Sequence, residues 1–306
     1  MDWKLFRELS NVKSTLLDVF LMVLVISYSY AKFMTFDFVN GLLGLLAVVI
    51  FHMIINFHNN YNIYRSADKN VLRNKINDMG INRESLSHAK RMVYVLAFIP
   101  IVITAYLVYM TGWFILVVAI LGIVLGLLYT SGPKPLNKTV VGEVVMAIAT
   151  TVIVPMAFIY LGLANSGKID SSTIIDIIVI CLPNTFAVFS TIIAQNVSEL
   201  ETGSTSSNTL VEKIGQHNSL SLFKASWALA FLLVPIMALM HVIPYVTLLL
   251  ILFYPGIWDN FRPFLKEPSA KNLNSVLLAT IRLSVSYVGL LAVGAVITVI
   301  IGLISK

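Results

Sequence analysis

One cysteine, Cys181, stands in the 306-residue chain, so an intrachain disulfide and a thiolate metal cluster are both excluded. It lies in an apolar run, where a lone thiol is a small buried hydrophobe. Charge is scarce as well. Only 12% of residues are charged, about half the share of a soluble domain. Hydrophobic residues make up 58% of the chain and the mean hydropathy is +0.87. That excludes a soluble globular domain and indicates an integral membrane protein with helical spans. Met1–Val12 is polar and the first apolar run has no small-residue cleavage site after it, so no cleavable signal peptide is expected. The five histidines are scattered, and none is paired at metal-ligand spacing. Neither an inverted repeat nor a broken mid-span helix is visible, which argues against a transporter.

What is present is a series of apolar runs. Segments of about 20 apolar residues number roughly nine: Thr15–Phe33, Val39–Phe57, Met92–Met110, Trp113–Tyr129, Val141–Leu163, Thr173–Ala194, Leu222–Met240, Val242–Tyr254 with its flanks, and Ser275–Leu303. The eighth is short and bounded by Pro244 and Pro255. This predicts an all-α membrane protein, a nine-transmembrane-helix bundle forming one membrane domain over 1–306. The net charge of +6 does not point to nucleic acid, because the basic residues lie in short loops between spans. Loops assigned to one side hold 17 of the 21 Lys and Arg residues. By the positive-inside rule the N-terminus is cytoplasmic and the C-terminus outside, as in a multi-pass protein of the cell membrane.

Two cytoplasmic loops, about 59–90 and 195–221, exceed a simple turn, and each is entered from an apolar helix that ends in carboxamides. The first reads Asn56-Phe57-His58-Asn59-Asn60-Tyr61-Asn62-Ile63 and leads to Arg65, Asp68 and Lys69. If helix continues, positions 56, 59, 60, 63 and 67 share a face. The second reads Gln195-Asn196-Val197-Ser198-Glu199-Leu200-Glu201, in which Gln195, Asn196 and Glu199 share a face. Carboxamides at membrane depth need partners, at a cost of roughly 2–7 kcal/mol when they have none. Two such polar rims suggest a cavity between them.

These segments resemble the UbiA-type intramembrane prenyltransferases, most closely the 1,4-dihydroxy-2-naphthoate polyprenyltransferases of menaquinone synthesis. Asn56 to Ile63 aligns with their Asn-x-x-Asn-Asp-Tyr-x-Asp pattern. Tyr129-Thr130-Ser131-Gly132-Pro133-Lys134-Pro135-Leu136, followed by Gly142-Glu143, is similar to their Tyr-Thr-x-Gly-Pro-x-Pro-Leu…Gly-Glu signature. Gln195 to Gly203 aligns with the second aspartate motif, and Thr209-Leu210…Gly215 with the tail that follows it. The resemblance implies a nine-helix bundle around a lipid-accessible pocket. In that pocket Mg²⁺ held by the aspartate motifs grips a polyprenyl diphosphate, and an electron-rich aromatic acceptor is alkylated. The candidate catalytic residues are then Asn60 and Glu199. Asn56, Asn59, Arg65, Lys69, Tyr129, Lys134, Lys138 and Asn196 are expected to bind substrate or diphosphate. Asp68, Glu199 and Glu201 are the expected metal ligands.

The chain departs from the pattern where the ions would bind. Asn60 and Ile63 replace the first two aspartates, Glu199 and Gly203 stand in the second motif, and Ser198 replaces its arginine. Glu201 lies about 200° around the helix from Glu199. A missing carboxylate forgoes an attraction of order 4 kcal/mol per unit of cation charge at 4 Å and an effective dielectric near 20. The same residues therefore allow a second reading, in which a non-catalytic relative binds a prenyl lipid or quinone and serves a partner such as an intact paralogue.

Overall fold

The computed structural model describes residues 3–66, 83–201 and 208–304, and all regular structure among them is helical. Lipid cannot satisfy backbone N–H and C=O groups, so a chain this apolar closes its hydrogen bonds inside helices. The α-helices are α1 (Trp3–Leu9), α2 (Leu16–Phe33), α3 (Phe38–Ser66), α4 (Arg83–Thr111), α5 (Phe114–Thr130), α6 (Gly142–Ile148), α7 (Val154–Leu163), α8 (Ser171–Glu201), α9 (Leu210–Leu239), α10 (Tyr254–Lys266) and α11 (Ala270–Ile304). A π-helical turn, Ala149–Ile153, joins α6 to α7 as one continuous span. Pro155 sits just beyond that turn and has no N–H to close the ordinary ladder there.

Seven helices among the described residues are long and apolar enough to cross a membrane: Val12–Phe33, Phe38–Asn62, Ser87–Thr111, Gly142–Ser166, Ser171–Leu200, Leu210–Leu239 and Ala270–Ile304. Helix α5 is apolar but shorter, with 17 residues. The span expected over Val242–Tyr254 takes another form, a 3₁₀ helix from Tyr245 to Phe253 that runs into α10. At about 2.0 Å per residue its nine residues reach roughly 18 Å, short of a hydrocarbon core of about 30 Å. Helix α10 is amphipathic. Ile257, Phe261 and Phe264 are buried, whereas Asp259, Arg262 and Lys266 are exposed.

Both expected long loops are invaded by helix. Helix α3 continues through the asparagines to Ser66 and α4 begins at Arg83; α8 runs to Glu201 and α9 begins at Leu210. The carboxamides do not end these helices: Asn56, Asn60 and Asn196 bond to other segments, and Asn62 and Gln195 to a residue one turn along their own helix. Within α9 the backbone kinks at Gly215 (φ +77°, ψ 165°), a left-handed conformation that suits a residue without Cβ.

The chain groups into two compact units, Met1–Val19 with Leu42–Pro135, and Phe20–Gly41 with Leu136–Lys306. In the first unit Leu5, Phe6 and Leu9 of α1 pack with Phe57 of α3 and with Ala89 and Val93 of α4. Phe6 stacks on Phe57 at 6.4 Å, and Phe57 on Tyr61 at 6.1 Å. In the second unit the core joins α8 (Ala187, Ile193, Ala194, Val197), α9 (Phe223, Trp227), α10 (Phe261, Phe264) and α11 (Val276, Leu283). Trp227 stacks on Phe261 at 4.8 Å. Hydroxyl seams cross that core: Thr151 to Thr185 at 2.8 Å, Thr191 to Thr280 at 2.7 Å, and Ser284 to Asn184 at 2.9 Å. In a membrane interior such pairs keep buried hydroxyls satisfied and fix helix register.

Candidate functional site

In the first unit the polar end of α3 is organised as a ladder. His52, Asn56 and Asn60 are four residues apart and so lie on one face. His52 Nδ1 is 2.9 Å from Asp18 Oδ2. Asn56 Nδ2 donates to Ser14 Oγ (2.9 Å) and to the Ser10 carbonyl (3.3 Å). Asn60 Nδ2 donates to the Leu9 carbonyl at 2.8 Å. All three rungs land on the segment that leaves α1 and enters α2, where Ser10, Thr15 and Asp18 are buried. Since a carbonyl oxygen can only accept, the bond to Leu9 fixes which end of the Asn60 amide faces that segment. Oδ1 is then the end of Asn60 turned away from that carbonyl.

Next to the ladder, His58 Nε2 accepts from Asn62 Nδ2 (3.1 Å) and lies 2.8 Å from Ser131 Oγ. This joins the asparagine-rich turn to the Tyr129–Leu136 signature, which the sequence left unconnected. Asn59 and Tyr129 are half-buried and Lys134 is exposed. Lys90 Nζ stands 5.6 Å over the Tyr61 ring and 5.8 Å over Tyr94. Asp68 and Lys69 lie outside the described residues, as does the side chain of Arg65.

In the second unit the centre is Glu143, which is 2% exposed. Its Oε1 accepts from Asn196 Nδ2 at 2.8 Å and from the Leu210 backbone N–H at 3.1 Å. Three signature segments thus meet on one carboxylate: the Gly142-Glu143 pair, the second motif on α8, and the Thr209-Leu210 tail at the start of α9. Thr209 caps α9, its side chain accepting from Glu212 N at 3.3 Å. The Asn208 N–H bonds the Lys138 carbonyl at 3.2 Å. Gly142 is required by close approach, because a Cβ there would lie 2.0 Å from the Leu136 carbonyl oxygen. Lys138 itself is exposed.

On α8, Glu199 is exposed and accepts from Gln195 Nε2 at 3.3 Å. Ser198 is buried, and its hydroxyl turns back to the Gln195 carbonyl at 2.7 Å. Its position carries the arginine in the resembling motif, so here that position serves the helix itself. The side chain of Glu201 lies outside the described residues. At the other end of α8, Asp170 Oδ1 accepts from Thr173 N (2.8 Å), Thr173 Oγ1 (2.8 Å) and Ser172 Oγ (2.9 Å). Those bonds, the backbone one first, hold its carboxyl at about 2. Lys32 Nζ and the Tyr28 hydroxyl both donate to Asp176 Oδ2, at 2.7 and 2.8 Å, further along α8.

Among the described residues no three His, Cys, Asp or Glu side chains cluster as metal ligands. The first motif, among the described residues, offers amide oxygens but no carboxylate, so it brings no negative charge to balance a resident Mg²⁺. Among the described side chains the second motif offers one carboxylate, Glu199, and the Asn196 Oδ1 one turn away. Mg²⁺ is commonly held by one or two carboxylates together with substrate phosphates. That pair therefore suits an ion arriving with a diphosphate better than one bound beforehand.

Sequence reasoning gave no site role to Glu143, Ser10, Ser14 or Asp18. For Glu143 the available signal was its place in the Gly-Glu signature. For Asp18 it was a lone carboxylate at the mouth of an apolar run.

The model of the UbiA prenyltransferase family matches residues 19–281. Among solved structures, one described as a digeranylgeranylglyceryl phosphate synthase is 18% identical with a TM-score of 0.62, the alignment covering 95% of this chain and 98% of that one. A UbiA homologue from Archaeoglobus fulgidus bound to GPP and Mg²⁺ is 13% identical with a TM-score of 0.57, covering 96% and 99%. The same homologue bound to DMAPP and Mg²⁺ gives 14% identity and a TM-score of 0.56, covering 94% and 99%. These likenesses show a shared fold. No curated protein matches the chain.

Proposed function

The chain belongs to the UbiA prenyltransferase family, and on that premise we propose that it transfers a polyprenyl group from its diphosphate to an aromatic acceptor of the 1,4-dihydroxy-2-naphthoate type, in menaquinone synthesis. The observation that carries this reading is the set of contacts around Glu143. There a buried carboxylate holds the second-motif Asn196 and the start of α9 together. In the reaction the allylic C–O bond breaks and diphosphate leaves with the electron pair. A ring carbon of the acceptor bonds the allylic carbon, and the ring then regains aromaticity by losing its substituent at that carbon, CO₂ where the carboxyl-bearing carbon is alkylated and a proton otherwise. In the second unit, Glu199 and Asn196 meet the diphosphate with its Mg²⁺, and Lys138 supplies positive charge. In the first unit Asn59, Asn60, Tyr129 and Lys134 keep the substrate-binding or catalytic roles assigned to them from the sequence. Asp68, Glu201, Arg65 and Lys69 are assigned from the sequence alone. The distribution of basic residues supports a cytoplasmic N-terminus, an outer C-terminus and insertion in the cell membrane.

A second reading is favoured by the ladder. Asn56 and Asn60 already serve the N-terminal segment, which suits a protein that binds a prenyl lipid without turning it over and supports a partner. One assay separates the two. Purified protein in detergent receives Mg²⁺, a radiolabelled polyprenyl diphosphate and dihydroxynaphthoate. Prenylated product that disappears in Glu199→Gln is the expected result. Donor that binds but never releases diphosphate, at any Mg²⁺ concentration, would establish the second reading instead.

A further inference from the structure

We infer that Glu143 is the positioning residue of the second motif, acting on the diphosphate only through Asn196; this deepens the reading above and rests on it. Asn196 has two chemically different ends. Its Nδ2 is taken by Glu143 Oε1 at 2.8 Å, so the oxygen is the end left for an ion or a donor to meet. Without that bond the amide can rotate and present N–H groups, which Mg²⁺ cannot use. The same Oε1 accepts the Leu210 N–H at 3.1 Å, so one atom ties α6, α8 and the first residue of α9 together.

Burial makes this control firm. Glu143 is 2% exposed, and its Oε2 has no hydrogen-bond partner among the described residues. A carboxylate placed there against the cost of desolvation, with one oxygen idle, is a poor choice for stability alone. It is a good choice for orienting an amide, because an ionised acceptor binds N–H groups more strongly than a neutral one. Gly142 is part of the device. Only a residue without Cβ lets the chain pass the Leu136 carbonyl and bring Glu143 to this point.

The test is a double-mutant cycle read by direct binding, using the full chain in detergent and Mg·geranyl diphosphate in a calorimeter. Wild type is measured first. No binding below about 1 mM removes the proposed function, and this inference with it. If wild type binds, Asn196→Asp should weaken binding about tenfold, because it removes the N–H and sets two carboxylates face to face. Adding Glu143→Gln to Asn196→Asp should restore binding to within about threefold of wild type. The glutamine Nε2 then takes the place of the shared Oε1 and donates to the carboxylate introduced on α8, while the Leu210 N–H gives up that acceptor, so the recovery stops short of wild type. In a second cycle Glu143→Leu and Asn196→Ala should each weaken binding and should not add, since both remove one interaction. A merely structural Glu143 would give additive losses and no rescue by the reversed pair, and either outcome overturns the assignment. The rescue arm contains no apolar replacement, so it stands even if Glu143→Leu fails to fold.

Discussion

Asn60 and Leu9 are joined side chain to backbone, the Asn60 Nδ2 donating to the Leu9 carbonyl at 2.8 Å. Position 60 is where the resembling enzymes carry their first aspartate, and an aspartate has no N–H to donate. Substituting Asn60→Asp should therefore loosen the N-terminal segment rather than rebuild an ion site. The expected loss is about 1–3 kcal/mol, since a buried carbonyl loses its donor and gains a negative neighbour. It should appear as a lower Tm in detergent, with no gain in prenyl diphosphate turnover even when Ile63→Asp is added. A Tm at or above the wild-type value would show that the Leu9 bond contributes nothing.

The His52–Asp18 rung is 2.9 Å long, and the two side chains are 15% and 1% exposed. Removing one partner leaves the other polar group buried among apolar residues. Asp18→Leu or His52→Leu alone should each cost about 1–3 kcal/mol, whereas the double variant should recover most of that loss. Thermal unfolding of the three variants checks it. Equal losses from both single changes that simply add would mean the pair is not a unit.

Gly142→Ala places a Cβ 2.0 Å from the Leu136 carbonyl oxygen. Backbone on one side and a buried carboxylate on the other leave little room to yield, so the turn should shift and carry Glu143 with it. The expected outcome is a lower Tm together with weaker Mg·geranyl diphosphate binding. Gly289→Ala, where nothing lies within 4 Å of the added Cβ, is the matched control.

Asp170 gives the pH dependence a definite sign. Its carboxyl is held at about 2, below its ordinary 3.8, by hydrogen bonds from Thr173 and Ser172. A depressed folded-state value means the ionised form supports the native state. The contribution of Asp170 is thus complete above pH 3.8 and fades as pH falls toward 2. The Tm difference between wild type and Asp170→Ala, clear at about pH 6, should shrink through that window. A difference that grows on acidification would contradict the capping role.

Much of the candidate site was legible as positions and little of it as partnerships. The Asn56–Ile63 and Gln195–Glu201 turns stand out because amides and acids interrupt apolar runs, and the structure extends both as helix. Glu143 could be read only as one letter of a signature. Its partner Asn196 is 53 residues away, and the partners of Asn56 and Asn60 are 46 and 51 residues away. The segment over Val242–Tyr254 passed as a crossing by its apolar composition, which does not distinguish a 3₁₀ helix from an α-helix.

The sequence by itself determined that this is a helical membrane protein, because hydropathy sums along the chain and lipid forces every apolar run to satisfy its own backbone. Its motifs also pointed to the family. Tertiary structure alone decided what the asparagines do. An amide has a donor end and an acceptor end, and only a partner brought from a distant segment selects which end is used and which remains for a ligand.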